Sequence, residues 1–309
     1  MLAKFWEALG TKLAERWAAA TAPALLFWVG GLLAWLYGHG GVGALAQAKA
    51  WILGQPGVIQ VGLLLAAVLL LVTSALVVER LSLPTLRLLE GYWPRPLRPL
   101  RRRLVALQAA NVAAVERRWS ELLERLRQEI ASPDERQEAI ELDAKLRRFP
   151  ATSEQIMPTQ VGNILRAAES RPTEKYGLDT VACWPHLWLL LPDAVRQELA
   201  AASGRLQATA SAVVWSLLLL GFTVWTWWAV PAALAAAAVI IRVWVPDRAE
   251  VFADLLEATV DLHRLALYKA LRWPLPTDPD DERSAGQMLT EYLRRGLSGP
   301  LPQFTKPEQ

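Results

Sequence analysis

Three long stretches without a charged residue are the strongest constraint on this chain. No Lys, Arg, Asp or Glu occurs in residues 17–48, 50–78 or 206–241. A helix needs about 20 apolar residues to cross a hydrocarbon core of roughly 30 Å. A helix on the surface of a soluble core needs a polar face, and these stretches have no charged one. The pattern therefore predicts an all-α integral membrane protein in which lipid surrounds these segments.

The first two stretches predict one transmembrane hairpin over residues 21–78. Its spans cover 21–37 and 57–78, and a Gly-rich turn ends the first of them. Residues 1–20 precede it as an amphipathic helix, because apolar and charged side chains alternate there at helical spacing. We expect that helix either to lie in the headgroup region or to pack against the cytoplasmic domain.

The third stretch is longer than one crossing requires. A cluster of Trp225, Trp227 and Trp228 lies within it, followed by Pro231. Trp favours the membrane interface, and Pro suits the first turn of a new helix. We therefore predict a second hairpin over 206–246, which brings the total to about four transmembrane helices. A three-span arrangement stays open, because the last span is short and contains Arg242.

The charges predict where the rest of the chain lies. Residues 79–205 contain most of the basic residues and no apolar run long enough to span, so we expect a cytoplasmic helical domain. Residues 247–309 predict further cytoplasmic helices and a loose tail. Both termini are then cytoplasmic, and a composition rich in Arg, Ala and Leu favours the inner membrane of a bacterium.

A seven-residue repeat after the first hairpin predicts a short stripe for helix packing or coiled-coil contact. Its members are Val105, Val112, Val115, Trp119, Leu122 and Leu126. Ser132, Pro133 and Glu135 follow in the order of a capping box and predict a second helix. The stripe therefore either packs against this second helix or joins sister subunits.

Arginines cluster just after the second span, at Arg95, Arg98, Arg101, Arg102 and Arg103. They predict contact with anionic lipid headgroups. Nucleic acid is an unlikely partner, because the acids Glu116, Glu121 and Glu124 soon balance the charge. Arg242 predicts either a cation that snorkels to the headgroups or a pore-lining residue.

Residues 150–191 contain four prolines that predict helix breaks, at Pro150, Pro158, Pro172 and Pro185. A short helix is expected between them, from 160 to 170. The apolar segment 183–191 is too short to span and is read as interfacial, re-entrant or domain core. Pro246 predicts another break, after which Asp247 is expected to cap a new helix.

The sequence lacks the residue groups that catalysis or metal binding needs. His39, His186 and His263 have no second His or Cys three or four residues away, and Cys183 is the single cysteine. The acids at 278 and 280–282 are explained by the start of a helix, where they meet the positive end of its dipole. We therefore predict no catalytic site, no metal and no cofactor.

Five short motifs carry a resemblance over about residues 160–280. They are GNILRAAE at 162–169, YGLD at 176–179, WPHLW at 184–188, DLHR at 261–264 and WPLP at 273–276. The chain resembles uncharacterised multi-pass membrane proteins of bacteria in these motifs. The resemblance implies a membrane protein and no particular activity.

Two functions follow as hypotheses, and a membrane enzyme, which would need His186 or His263 beside carboxylates in a cavity, stays open as a third. The first is a non-enzymatic multi-pass membrane module whose cytoplasmic helices mediate oligomerisation or partner binding. The second is a homo-oligomeric ion channel or pore, with Arg242 favouring anions.

Overall fold

The computed structural model describes residues 21–296 and Phe304. The predicted amphipathic helix at 1–20 and most of the tail lie outside these residues. Within them every regular element is a helix and no strand occurs, so the all-α prediction is confirmed.

Eleven α-helices follow one another in the described part of the chain, and the first is described from Thr21. Short 3₁₀ segments at Arg95–Leu97, Ser153–Gln155 and Leu219–Val224, and a π-helical segment at Ile240–Trp244, lie between some of them. The α-helices are α1 (Thr21–Gly38), α2 (Val42–Leu53), α3 (Gly57–Glu90), α4 (Arg98–Arg127), α5 (Pro133–Leu146), α6 (Gln160–Tyr176), α7 (Thr180–Leu190), α8 (Asp193–Leu218), α9 (Ala229–Val239), α10 (Val245–Ala270) and α11 (Pro279–Arg295).

Four helical segments are long and apolar enough to span a membrane; they begin at Thr21, Gly57, Asp193 and Ala229. Many of their large apolar side chains face outward, as Leu26 and Leu64 do with 75% and 66% of their surface exposed. An apolar surface of this extent is typical of contact with lipid or another chain. The chain is thus a multi-pass membrane protein by the length and composition of its helices.

The chain divides into two compact units. One, the apolar unit, holds the described residues up to Leu86 together with Gln207–Trp244. The other, the helical domain, holds Arg87–Leu206 and the described residues from Val245 onward.

Aromatic contacts hold the apolar unit together. The ring of Phe27 on α1 stacks on Phe222 with 4.7 Å between centroids and lies 5.0 Å from the ring of Trp215 on α8. A Cβ added at Gly31 would come within 2.5 Å of the Phe222 ring, so this contact requires the small residue. Trp28 Nε1 donates a 3.2 Å hydrogen bond to Ser74 Oγ on α3.

The helical domain is built around α6, which packs along α10 and against α11 and α7. Thr159 Oγ1 caps its start by accepting a hydrogen bond from Gly162 N, and Gly177 ends it in the left-handed conformation. The core between α7, α10 and α11 is apolar and includes Tyr268 and Trp273, both almost completely buried. The segment 183–191 forms most of α7 and its C-cap, with Cys183 and Leu187 buried in this domain.

The α4 and α5 helices pack on each other within this domain. The predicted capping box is present, since Ser132 Oγ accepts from Glu135 N and Ser132 N donates to the Glu135 carboxylate. Two ion pairs join the helices, Arg118 to Glu138 at 2.7 Å and Arg125 to Glu135 at 2.5 Å. All six stripe residues are buried or half-buried.

Prolines break fewer helices than the sequence predicts. Pro172 and Pro185 lie inside α6 and α7, and Pro84 lies inside α3, which runs twelve residues past the predicted span end at Val78. A helix interior proline loses one backbone hydrogen bond. Pro172 is buried among packed helices, and packing of this kind outweighs local propensity.

The predicted break at Pro246 is also wrong. The chain stays helical from Ala229 to Ala270, and the π-helical segment ends two residues before the proline. Pro246 has no N–H to bond the carbonyl four residues earlier, and a local widening of the helix accommodates that loss. Between the third and fourth candidate spans, residues 225–228 are not helical and include turns. Sequence analysis missed α2, which is apolar but too short to span.

We predict that Gly286→Ala lowers the stability of the helical domain by about 1–3 kcal/mol, because overpacking a close contact costs that much. A Cβ at Gly286 on α11 would overlap the carbonyl oxygen of Tyr176 at the end of α6. Thermal unfolding of the detergent-solubilised protein, followed by tryptophan fluorescence, measures the effect.

Gly204→Ala is the matched control. Gly204 lies on α8, where a Cβ would meet no atom within 4 Å, and Ala favours a helix over Gly by up to about 1 kcal/mol. Equal unfolding temperatures for the two variants would contradict the close contact.

Candidate functional site

The densest group of interacting polar side chains in the helical domain lies where α6 faces α10 and α11. We call it the charged cluster; it consists of Arg171, Lys175, Tyr176, Glu257, Asp261, Arg264 and Glu282. Arg171 and Lys175 are four residues apart on α6, and Glu257 and Asp261 are four residues apart on α10. Each pair therefore lies on one face of its helix, and the two faces meet.

The distances show a continuous network. Glu257 accepts hydrogen bonds from Arg171 and, at 2.6 Å, from Lys175 Nζ. Lys175 Nζ also lies 3.3 Å from Asp261 Oδ2, and Tyr176 OH donates to Asp261 Oδ1 at 2.9 Å. The network thus ties the two helices together at several successive turns.

Arg264 extends the network to α11. Its guanidinium lies 4.1 Å above the Tyr176 ring, and its Nε donates to Glu282 Oε1 at 2.6 Å. The Glu282 side chain is buried, so the guanidinium supplies the counter-charge that a buried carboxylate requires.

The electrostatics of the charged cluster favour a structural role for it over a catalytic one. Burial by itself would lower the pKa of Lys175, but hydrogen bonds and charge from Glu257 and Asp261 raise it above the ordinary lysine value. Burial and the bond to Asp261 raise the pKa of Tyr176. Lys175 therefore stays protonated at neutral pH and is a poor nucleophile, and Tyr176 stays neutral.

A polar groove of about 670 Å³ runs beside the cluster. Four basic and four acidic residues line it, so the charges cancel: Arg147, Arg148, Arg171 and Lys175 against Glu250, Asp254, Glu257 and Asp261. Arg148 bridges to Glu250 at 2.9 Å and joins α5 to α10. Within the described residues only Asp254 of this set has no ion pair, which leaves little free charge for a ligand.

A second, mainly apolar groove of about 710 Å³ lies between α4, the end of α5 and α6. Its apolar walls include Val112 and Trp119 of the predicted stripe, together with Leu146 and Phe149. Glu174 lies at the same groove, and its buried Oε1 has no hydrogen-bond partner among the described residues. This groove therefore offers mainly apolar contact, with one buried and unpartnered acceptor beside it.

The five arginines predicted to contact lipid lie together at the 3₁₀ segment and the first turns of α4. All five are exposed, and within the described part of the chain none of them forms an ion pair. They are Arg95, Arg98, Arg101, Arg102 and Arg103. Arg242 is likewise exposed, in the π-helical segment, with no ion pair to a described residue.

The other candidate residues lie apart. The ring of exposed His39 stacks on Trp35, His186 is exposed on α7, and His263 is on α10. Among the described residues no three His, Cys, Asp or Glu side chains form a metal-binding group. Burial raises the pKa of the Cys183 thiol to about 11, so this cysteine is unreactive at neutral pH. Asp278 caps α11 by accepting from Asp281 N at 2.8 Å, as the acidic run predicted.

The charged cluster and both grooves were not predicted from the sequence. The four-residue spacings of Arg171 with Lys175 and of Glu257 with Asp261 are visible in the sequence. They indicate two charged helix faces, but only the fold shows that these faces meet, because 82 residues separate Lys175 from Glu257.

No protein-family model, curated protein or solved structure matches this chain. The resemblance to bacterial multi-pass membrane proteins therefore stays a prediction, and function has to be argued from the residues.

We predict that Glu257→Gln destabilises the helical domain by about 1–3 kcal/mol, the usual range for hydrogen bonds to charged groups. Only 17% of the Glu257 side chain is exposed, and its loss leaves Arg171 without an anionic partner and Lys175 with Asp261 alone. Chemical denaturation in detergent, followed by circular dichroism, measures the change.

Glu198→Gln provides the control, because Glu198 is exposed on α8 and forms no ion pair with a described residue. We expect the free energy of unfolding of this variant to stay within about 0.5 kcal/mol of that of the unmodified protein. A Glu257 variant as stable as this control would show that the cluster contributes nothing.

Proposed function

We propose that this chain is a non-enzymatic multi-pass membrane protein whose helical domain pairs with that of a second copy. The domain lies on the cytoplasmic side of a bacterial inner membrane in this proposal, because it carries most of the basic residues. The observation that carries the proposal is the open apolar groove between α4, α5 and α6.

The groove has the features of a protein-binding surface. Its walls are apolar and contain aromatic side chains, which are enriched at the centres of protein interfaces. The Oε1 of Glu174 beside the groove is buried without a hydrogen-bond partner among the described residues, so a donor that reached it on association would satisfy it. An amphipathic helix face is the usual occupant of such a groove.

The charges around the groove favour a second copy as the occupant. Three acids and three bases line it: Glu116, Asp143 and Glu174 with Arg117, Arg147 and Arg171. In a two-fold dimer each surface meets a copy of itself. A surface with equal numbers of both charges can then set acids against bases, whereas a surface of one sign would repel its copy.

The charged cluster supports this proposal by giving the groove a rigid wall. Arg171 belongs to both, and its bond to Glu257 fixes α6 against α10. A preformed surface loses less conformational entropy on association than a mobile one.

Ala113→Glu tests the proposal. Ala113 is exposed and lines the groove, so we expect a charge there to weaken dimerisation at least about tenfold, because an unpaired charge in an apolar interface costs more than about 1.4 kcal/mol. Energy transfer between differently labelled copies in proteoliposomes, as a function of protein density, measures the dimer.

Ala114→Glu is the matched control, since it introduces the same charge at the next position of α4, which is exposed and outside the groove lining. We expect it to dimerise normally. Monomers at every protein density, or equal weakening by both substitutions, would overturn the proposal, and capture of another protein by this groove would replace it.

A second candidate function, an anion pore formed by several copies, is favoured by one observation. Arg242 is the single charged residue of Gln207–Trp244, it is exposed, and it lies in a π-helical segment. Such segments are frequent at functional sites, and charged residues in membrane segments often mark ion routes.

We predict for this candidate that the reconstituted protein conducts chloride and that Arg242→Ala reduces the current severalfold, because the substitution removes the positive charge from the path. Planar-bilayer recording measures the current. Arg248→Ala is the control, since Arg248 lies beyond the apolar stretch and pairs with Asp247. A bilayer that stays electrically silent at all voltages would eliminate the pore.

A further inference from the structure

We propose that the start of α4, with the segment before it, binds an anionic phospholipid surface through a row of leucines flanked by arginines. The bound chemistry is the lipid phosphate together with the acyl region below it. This inference goes beyond the proposed dimer and does not depend on it, because the residues involved lie outside the apolar groove.

The leucines form one exposed face. Leu97, Leu100, Leu104 and Leu107 follow at intervals of three, four and three residues, the spacing of one side of a helix. Leu97, Leu100 and Leu107 are 42%, 47% and 65% exposed, and Leu104 is half-buried. We call these four residues the leucine face.

The α5 helix is too short to cover this face. The α4 helix has 30 residues and α5 has 14, so they are about 45 and 21 Å long. Their ion pairs, at Arg118 and Arg125, lie in the second half of α4. The first turns of α4 therefore extend beyond α5, and the leucine face needs another partner.

The arginines beside the leucine face identify that partner as anionic. Successive residues of a helix are rotated by 100° about its axis. Arg98 and Arg101 therefore project to one side of the leucine face, and Arg103 projects to the other. Further along the same helix Arg118 and Arg125 have acidic partners, but the arginines of the first turns have none among the described residues. An apolar stripe with basic residues at its flanks is the pattern of a helix that lies in a membrane interface.

Two further features add to the attraction for anions. The first turn of α4 contains no acidic residue, although the N-terminus of a helix favours negative charge. The arginines and the helix dipole therefore produce positive potential at the same place. Tyr92, just before this segment, is also exposed, and tyrosine is enriched at membrane interfaces.

The experiment uses the full chain in nanodiscs of phosphatidylcholine alone or mixed with phosphatidylglycerol. An environment-sensitive fluorophore is attached at Leu107→Cys, on the leucine face. Cys183 does not compete for the label, because it is buried and its thiol has a pKa of about 11. The control label is at Ile140→Cys on α5, which is 64% exposed.

We expect the label at position 107 to shift to the blue and to be quenched by brominated acyl chains only in the anionic nanodiscs. The label at position 140 should show neither the blue shift nor the quenching in either lipid composition. Replacement of Arg98, Arg101 and Arg103 by Gln should lower the equilibrium constant for lipid contact on the order of 100-fold, at about fivefold for each basic residue.

A second set of substitutions separates this site from the total charge of the protein. Arg136, Lys269 and Arg295 are exposed and form no ion pair with a described residue, and their replacement by Gln removes the same charge. We expect this variant to keep the quenching and the blue shift.

Three results would overturn the lipid proposal: quenching that is equal in both lipid compositions, absence of quenching in anionic nanodiscs, or an equal loss in the two triple variants. A blue shift that depends on a second copy in the same nanodisc, without quenching, would assign the leucine face to a protein contact instead. None of these results bears on the Ala113 test, so the two proposals fail separately.

Discussion

The fold depends first on the hydrogen bonds of the backbone in its uncharged segments. A peptide group in a hydrocarbon environment has no water to bond, so its N–H and C=O must pair within the protein. A single segment achieves this only as a helix. The uncharged stretches therefore form long helices whose apolar side chains point outward, and most of the charged residues lie in a separate compact unit.

The helical domain is under a different constraint, because its helices carry many charges and must still pack against one another. Close contacts between backbones hold part of it, as where Gly286 meets the carbonyl of Tyr176. Facing rows of opposite charge hold another part, where Lys175 meets Glu257 and Asp261. Nearly all charges near this contact are paired, and the surfaces for which we propose partners are instead the apolar groove and the leucine face.

These two surfaces lie on the same helix and suit different partners. The groove combines apolar walls with both signs of charge, a combination that fits another protein surface. The leucine face has arginines alone beside it, a combination that fits anionic lipid. One helix of 30 residues would thus connect a membrane surface to a protein interface.

The sequence by itself determined the class of the protein and many of its helix ends. Runs without charge specify membrane helices, and caps such as Ser132 and Asp278 mark helix starts, because these signals depend on neighbours within a few residues. Only the tertiary structure decided that helices continue through Pro172 and Pro246, and that the bases of α6 face the acids of α10. Such outcomes depend on packing between residues far apart in the chain, and the energy of those contacts exceeds the local preferences that a sequence pattern reveals.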